Sequence, residues 1–174
     1  MPYNTYVDES ARNRYLLCGV NVQQSEVSEV RDVLRSLRPR SHSRIHMYQE
    51  SKATQAALLR QIRSLNVSSW IISISVQVAK LPDSRFIAIS KIARIESLRE
   101  SRLLVMDQSS SYVGDKRILS QVARNVDYQF PHYRHMNSRH EPLLWLPDII
   151  AWCYGRGGTW RDAVEPLVTE VIEL

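Results

Sequence analysis

Residues Trp70 to Val78 read WIISISVQV, a nearly unbroken β-branched run relieved only by serines and one glutamine. Alternate residues of a strand project to opposite sides of its sheet, and here both sets are largely apolar, so neither side suits water. Such a strand belongs centrally in a sheet that is covered on both faces. The chain must then supply helices for both coverings.

The remaining sequence does so. Thr5 to Glu9 (TYVDE) combines β-formers with a sudden pair of acids, and Tyr15 to Val22 (YLLCGVNV) is a second β-rich run, with Ser10 to Arg14 as the hairpin connection. From Ser25 onward Val27, Val30, Val33, Leu34 and Leu37 recur at helical spacing, with Ser25 placed to cap the start and Pro39 just past the end. Arg40 to Glu50 is polar, with a short strand expected at Arg44 to Met47, and further helices are expected over Ser51 to Leu65, Pro82 to Leu98 and Gly114 to Val126. Arg102 to Asp107 (RLLVMD) is a short apolar strand ending in an acid, and Asp127 to Glu141 is an aromatic, histidine-rich strand or loop.

The segment LLWLPDIIAWCYG contains Pro147, which lacks an amide donor and is tolerated in a first helical turn, so this helix is expected to begin near Trp145 or Leu146. Gly155, Gly157 and Gly158 end it, and Trp160 to Glu173 reads as a final amphipathic element. Strands interleaved with helices give an α/β fold class, a mixed sheet flanked by helices on both faces. At 174 residues, with no internal repeat and no linker, one domain spanning 1–174 is expected.

Composition narrows the function classes. No stretch approaches the ~20 apolar residues of a membrane span, and the start lacks the basic-then-apolar layout of a signal peptide, so a cytoplasmic protein with no membrane partner is expected. Cys18 and Cys153 lie far apart in apolar runs and read as reduced core thiols. The net charge of +5, carried mostly by arginine, is compatible with a phosphate-bearing partner and equally with a solvated basic surface. Gly155 to Gly158 follows a helix and lacks the GK[ST] ending, so it reads as a C-capping turn, and no G-x-S-x-G elbow or dinucleotide fingerprint is present.

Three acids stand where acids are disfavoured: Asp8 within a strand, Asp107 at the end of an apolar one, and Asp148 interrupting an apolar helix face. Each alone could bond turn amides or cap a helix. Together they form the kind of carboxylate set that Mg²⁺ or Mn²⁺ requires. Glu50 is the candidate fourth acid, ahead of Glu9, which should face away from Asp8 because neighbouring strand residues alternate. His46, four residues before Glu50, is a candidate for phosphate contact or proton transfer, and Arg44 and Arg134 for phosphate contact. His132, His135 and His140 lack the cysteines of a finger-like zinc site, although their segment mixes aromatics and arginines in a way suited to bases and phosphates.

The motifs TYVDES, YLLCGVNV, RLLVMDQS and LLWLPDIIAWCYG, in this order, resemble a group of small, largely uncharacterised bacterial proteins with a ribonuclease-H-like fold. Ala11 stands where glycine commonly follows Asp-Glu-Ser in that group, and Trp145 and Pro147 where Gln and Ala often precede the aspartate. The resemblance implies a site with Asp8 and Asp107 on adjoining strands and Asp148 reaching them from the last helix. It implies a divalent-metal nuclease or phosphodiester-processing enzyme acting on DNA or RNA. The alternatives are a catalytically silent nucleic-acid- or protein-binding module, and a structural partner in a mobile-element or defence system anchored through exposed Trp152 and Trp160. The apolar tail Val164 to Leu174 is a candidate homodimer contact.

Overall fold

A computed structural model describes residues 1–75, 81–108 and 112–174. Strands β1 (Tyr3–Ala11) and β2 (Arg14–Gln23) form a hairpin whose turn is only Arg12 and Asn13. Helices α1 (Val27–Leu37) and α2 (Lys52–Ile62) follow, then β3 (Val67–Ser75), α3 (Leu81–Ser90), β4 (Ser101–Asp107), α4 (Tyr112–Asn125) and β5 (His132–Met136). The chain continues through α5 (Trp145–Arg156), α6 (Gly158–Val164) and β6 (Val168–Glu173).

The strands lie in the order β5-β4-β1-β2-β3-β6. β2 runs antiparallel to both β1 and β3, whereas β4 is parallel to β1, β5 to β4 and β6 to β3. This is the expected mixed sheet. The β-branched run forms β3 up to Ser75, paired on both sides and one strand from the edge; its last expected residues, 76–78, lie outside the described residues.

Strand alternation sorts the core into two layers. Tyr6, Leu16, Cys18, Ile71 and Val105 pack against Leu34, Leu58, Ile62 and Ile149, beneath α1, α2 and α5. Val7, Leu17, Trp70, Ile72, Leu104 and Met106 face the other way, against Ile89, Leu119 and Val122 of α3 and α4. Each large side chain so buried contributes about 1.5–3 kcal/mol of apolar transfer. Both cysteines are buried and unpaired.

Gly19 sits in register with Trp70, and a Cβ at Gly19 would stand 2.1 Å from Trp70 Cε2. The tryptophan lies flat over β2 only because that side chain is missing. Its Nε1 has no hydrogen-bond partner among the described residues.

Several local expectations are corrected. Ser25 lies in a 3-10 turn, Gln24–Glu26, and the following helix is capped by no side chain, so the predicted serine cap is absent. Arg44 to Met47 is not a strand: buried anchors described below hold this stretch as a loop with a 3-10 turn at Met47–Gln49. Ser51 does cap α2, accepting the Thr54 amide at 3.2 Å, and the helix closes at Ile62 instead of Leu65. The helix from Pro82 stops at Ser90 and gives way to two 3-10 turns.

The final amphipathic element divides into α6 and β6. Pro166 sits in a 3-10 turn, Glu165–Leu167, where a continuing helix would have needed its missing amide, and Val168–Glu173 is a strand. Ile172, part of the tail read as a dimer contact, is packed into the α3–α4 layer, while Val171 remains exposed. No helix among the described residues is long and apolar enough to cross a membrane.

Candidate active site

β1 and β4 run parallel with Val7 beside Met106, so the next residues, Asp8 and Asp107, emerge side by side at the same end of the sheet. Both share the alternation of Tyr6 and Val105 and point to the α5 side. Asp148 meets them from the first turn of α5. The three carboxylates line one cavity of about 180 Å³, together with Arg44, His46, Ser138 and Trp145.

Each acid is held differently. Asp8 Oδ1 accepts the Glu9 amide at 2.7 Å, and Asp107 Oδ1 accepts the Ser138 amide at 3.1 Å. Asp148, which is buried, accepts the Met47 amide on Oδ2 at 2.9 Å, and its Oδ1 lies 3.1 Å from His46 Nδ1. Both oxygens of Asp148 are thus engaged. Among the described residues no three His, Cys, Asp and Glu side chains are grouped to hold a metal ion.

The electrostatics mark Asp8 as the costly member. Burial pushes its carboxyl well above the usual carboxylate range, and the neighbouring charges of Asp148 and Asp107 push it further. Burial also raises Asp107, against the opposing hydrogen bonds from Ser138 and the charge of Arg44. Beneath them, burial followed by the charges of Asp8 and Asp148 raises the Cys18 thiol, leaving it an inert core group. The hydrogen bond to Asp148 raises His46 and outweighs its partial desolvation.

The other predicted residues fall into three places. Arg44 donates to Ser138 Oγ at 2.6 Å and so steadies the residue whose amide binds Asp107. Glu50 is buried with its Oε1 3.0 Å from His42 Nδ1, and it lines an adjoining cavity instead of the one holding Asp8. Arg134 is exposed on β5 and lines neither of these cavities. Glu9 turns its carboxylate away from Asp8, as alternation requires, and pairs with Arg85 Nη1 at 2.9 Å while accepting from the Tyr15 hydroxyl.

Sequence reasoning missed the supports. Gln55 Nε2 donates to the Met47 carbonyl at 2.8 Å, so Asp148, Glu50 and Gln55 together fix the loop that carries His46. Trp145 Nε1 donates to the Ser138 carbonyl at 2.6 Å, which gives the unusual tryptophan before Asp148 a positioning role in the cavity wall. Behind the sheet, Arg85 makes a two-pronged pair with Asp115, with Nε 3.0 Å from Oδ1 and Nη2 2.7 Å from Oδ2; His135 Nε2 lies 3.0 Å from the same Oδ2. A long-range pair of this kind has no local signal. His135 thereby belongs to an ion-pair cluster and not with His132 and His140.

Trp152 and Trp160 are half-buried against one another, ring centroids 5.2 Å apart and nearly perpendicular, so neither is the free anchor expected from sequence. No family model and no curated protein matches the chain. Among solved structures, it is similar to the RNase HII of the PCNA:RNase HII complex from Archaeoglobus fulgidus, with a TM-score of 0.54 and 15% identity, over 87% of this chain and 70% of that one. The fold is ribonuclease-H-like. The likeness reaches the fold, and the kinship suggested by the Asp-Glu-Ser motifs rests on those motifs alone.

Proposed function

We propose that this chain is a divalent-metal-dependent nuclease, or a closely allied phosphodiester-processing enzyme, working from the Asp8 cavity. The observation that carries the reading is the convergence of Asp8, Asp107 and Asp148 on one cavity: a desolvated carboxylate facing two further acids is unfavourable as an anion unless a proton or a cation joins them. The donor set is all oxygen, which suits Mg²⁺ or Mn²⁺. Asp8 and Asp107 would be the ligands, and Asp148 would join them on giving up one of its two hydrogen bonds. Bound there, the cation would supply Lewis-acid stabilisation of charge on the phosphoryl oxygens.

The protein's own groups divide the remaining work. Asp148 orients the His46 imidazole through Nδ1, leaving Nε2 to carry a proton to or from the reacting phosphodiester. In the metal-free protein the hydrogen bond to Asp148 raises His46. Arg44 adds positive charge at the wall and keeps Ser138 bound to Asp107. The fold likeness to a protein named as a ribonuclease is in keeping with this reading.

The test is a cleavage assay on single- and double-stranded DNA and RNA with Mg²⁺ or Mn²⁺. Activity should vanish in Asp8→Asn and fall by about 10²-fold or more in His46→Gln. Mn²⁺ should raise the thermal midpoint of the wild type and leave that of Asp8→Asn where it was. Equal cleavage by wild type and Asp8→Asn would expose a contaminant and remove the proposal. The second reading, a silent binding module of the same fold, is favoured by the engagement of both Asp148 oxygens. It predicts no Mn²⁺ shift in either protein.

A further inference from the structure

Next to the carboxylate cavity lies a larger one of about 580 Å³, and His46 and Asp148 line both. The two spaces adjoin at Glu9, His46 and Asp148, and the larger is a groove leading up to the carboxylate cavity. Its outer part is bounded by Arg12 at the hairpin turn, Tyr48 and Lys52 beside α2, and Trp152 and Arg156 of α5.

Charge in this outer part is one-sided. Its acids already have partners: Glu9 with Arg85 at 2.9 Å, Glu50 with His42 at 3.0 Å and Asp148 with His46 at 3.1 Å. Arg12, Lys52 and Arg156 are exposed, and none makes an ion pair among the described residues. Arg156 is instead held over the Trp152 ring, 5.0 Å from its centroid, with its charge left for a ligand.

The second observation is Tyr48. It is 79% exposed, at the groove mouth, with its ring 6.5 Å from that of His46. An exposed ring alone means little. A ring at the mouth of a groove with three unpaired cations, next to the proton-carrying histidine, is a specific combination. Spaced cations match repeated phosphates, and a bare aromatic face matches a base that is not already stacked and paired.

We infer that the groove binds a single-stranded polynucleotide, its phosphates on Arg12, Lys52 and Arg156 and one base on Tyr48. The strand then runs past His46 into the Asp8 cavity. This deepens the nuclease reading and rests on it for the direction of the strand; the binding itself is tested separately.

The measurement is fluorescence anisotropy, in EDTA, of labelled oligothymidylate and oligouridylate of about 20 nucleotides, against a duplex of equal length. The single strands should bind more tightly than the duplex. Tyr48→Ala should weaken them by about 5-fold or more. Alanine at Arg12, Lys52 or Arg156 should each flatten the plot of log affinity against log salt by about 0.7. These side chains are exposed, and circular dichroism would verify that the variants are folded. A duplex bound equally well, no binding of any polynucleotide, or Tyr48→Ala and Arg156→Ala variants that bind like wild type would overturn the inference.

Cleavage separates the two ideas. Asp8-dependent cleavage that is indifferent to Tyr48→Ala would retain the nuclease and discard the groove. Tyr48-dependent binding of single strands without any Asp8-dependent cleavage would retain the groove and discard the nuclease.

Discussion

At the scale of single residues, the chain places acids within β1 and at the end of its neighbour β4, and compensates acids by different means on the two faces of the sheet. On the α5 side Asp8 and Asp107 face a third carboxylate. On the α3–α4 side Glu9 and Asp115 share Arg85, whose side chain is 7% exposed beside a fully buried Asp115. Arg85→Met would leave two acids without their cation and should destabilise the protein by about 3–5 kcal/mol, measured by urea unfolding. Arg85→Met with Asp115→Leu should recover part of that loss. Burial alone would raise the Asp115 carboxyl, but hydrogen bonds from His135 and Arg85 overcome it and hold the group below its ordinary range. A depressed acid stabilises the fold above its unfolded pKa of about 3.9, and that contribution is lost as pH falls through the folded value. Thermal midpoints taken from pH 5 downward should therefore fall more steeply below about pH 4 in the wild type than in Asp115→Asn. Parallel slopes would show that Asp115 is not the linked group.

At the scale of elements, the strands were legible wherever composition alone decides. The run beginning at Trp70 had to be buried on both faces, and alternation in TYVDE correctly sent Glu9 away from Asp8. What could not be read was set by contacts distant in sequence. The loop carrying His46 looked like a short strand because its shape depends on Asp148, roughly a hundred residues away. The tail read only as amphipathic because the parallel pairing of Val168–Glu173 with β3, about a hundred residues earlier in the chain, decides its state. The pairing of Gly19 with Trp70 was equally hidden, and it yields a sharp expectation. Gly19→Ala should lower unfolding free energy by at least about 2 kcal/mol, because the new methyl meets a rigid indole inside a packed layer. Adding Trp70→Leu should make the alanine far less damaging. If Gly19→Ala unfolds like wild type, the close approach of Trp70 is wrong.

At the scale of the whole molecule, both helical layers cover one mixed sheet, and the candidate site opens beneath α5 where β4 ends beside Asp8 of β1. β1 and β2 are flanked by strands on both sides, while β5 and β6 form the edges. Amide hydrogen exchange should accordingly be slowest in Val7 and Leu16 to Val20, and faster in His132–Met136 and Val168–Glu173. Uniform protection across all six strands would indicate that the edges are covered by a partner. Such a pattern would bear on the homodimer suggested by the tail, whose Val171 stays exposed although Ile172 does not.

The back-to-back arrangement of Asp8 and Glu9 also sets how this gene should tolerate change. Tyr6 and Val7 face different layers but are both apolar, so polarity alone would not forbid β1 from sliding by one residue. The strand is fixed at one end by Thr5, hydrogen-bonded at 2.8 Å to both Asn21 and Ser101, and at the other by its two acids. In a deletion library, loss of a single codon between Thr5 and Asp8 would present the wrong acid to each side of the sheet. Conservative point changes at Tyr6 or Val7 should survive far more often, so the number of codons between Thr5 and Asp8 matters more than the identity of the residues they encode.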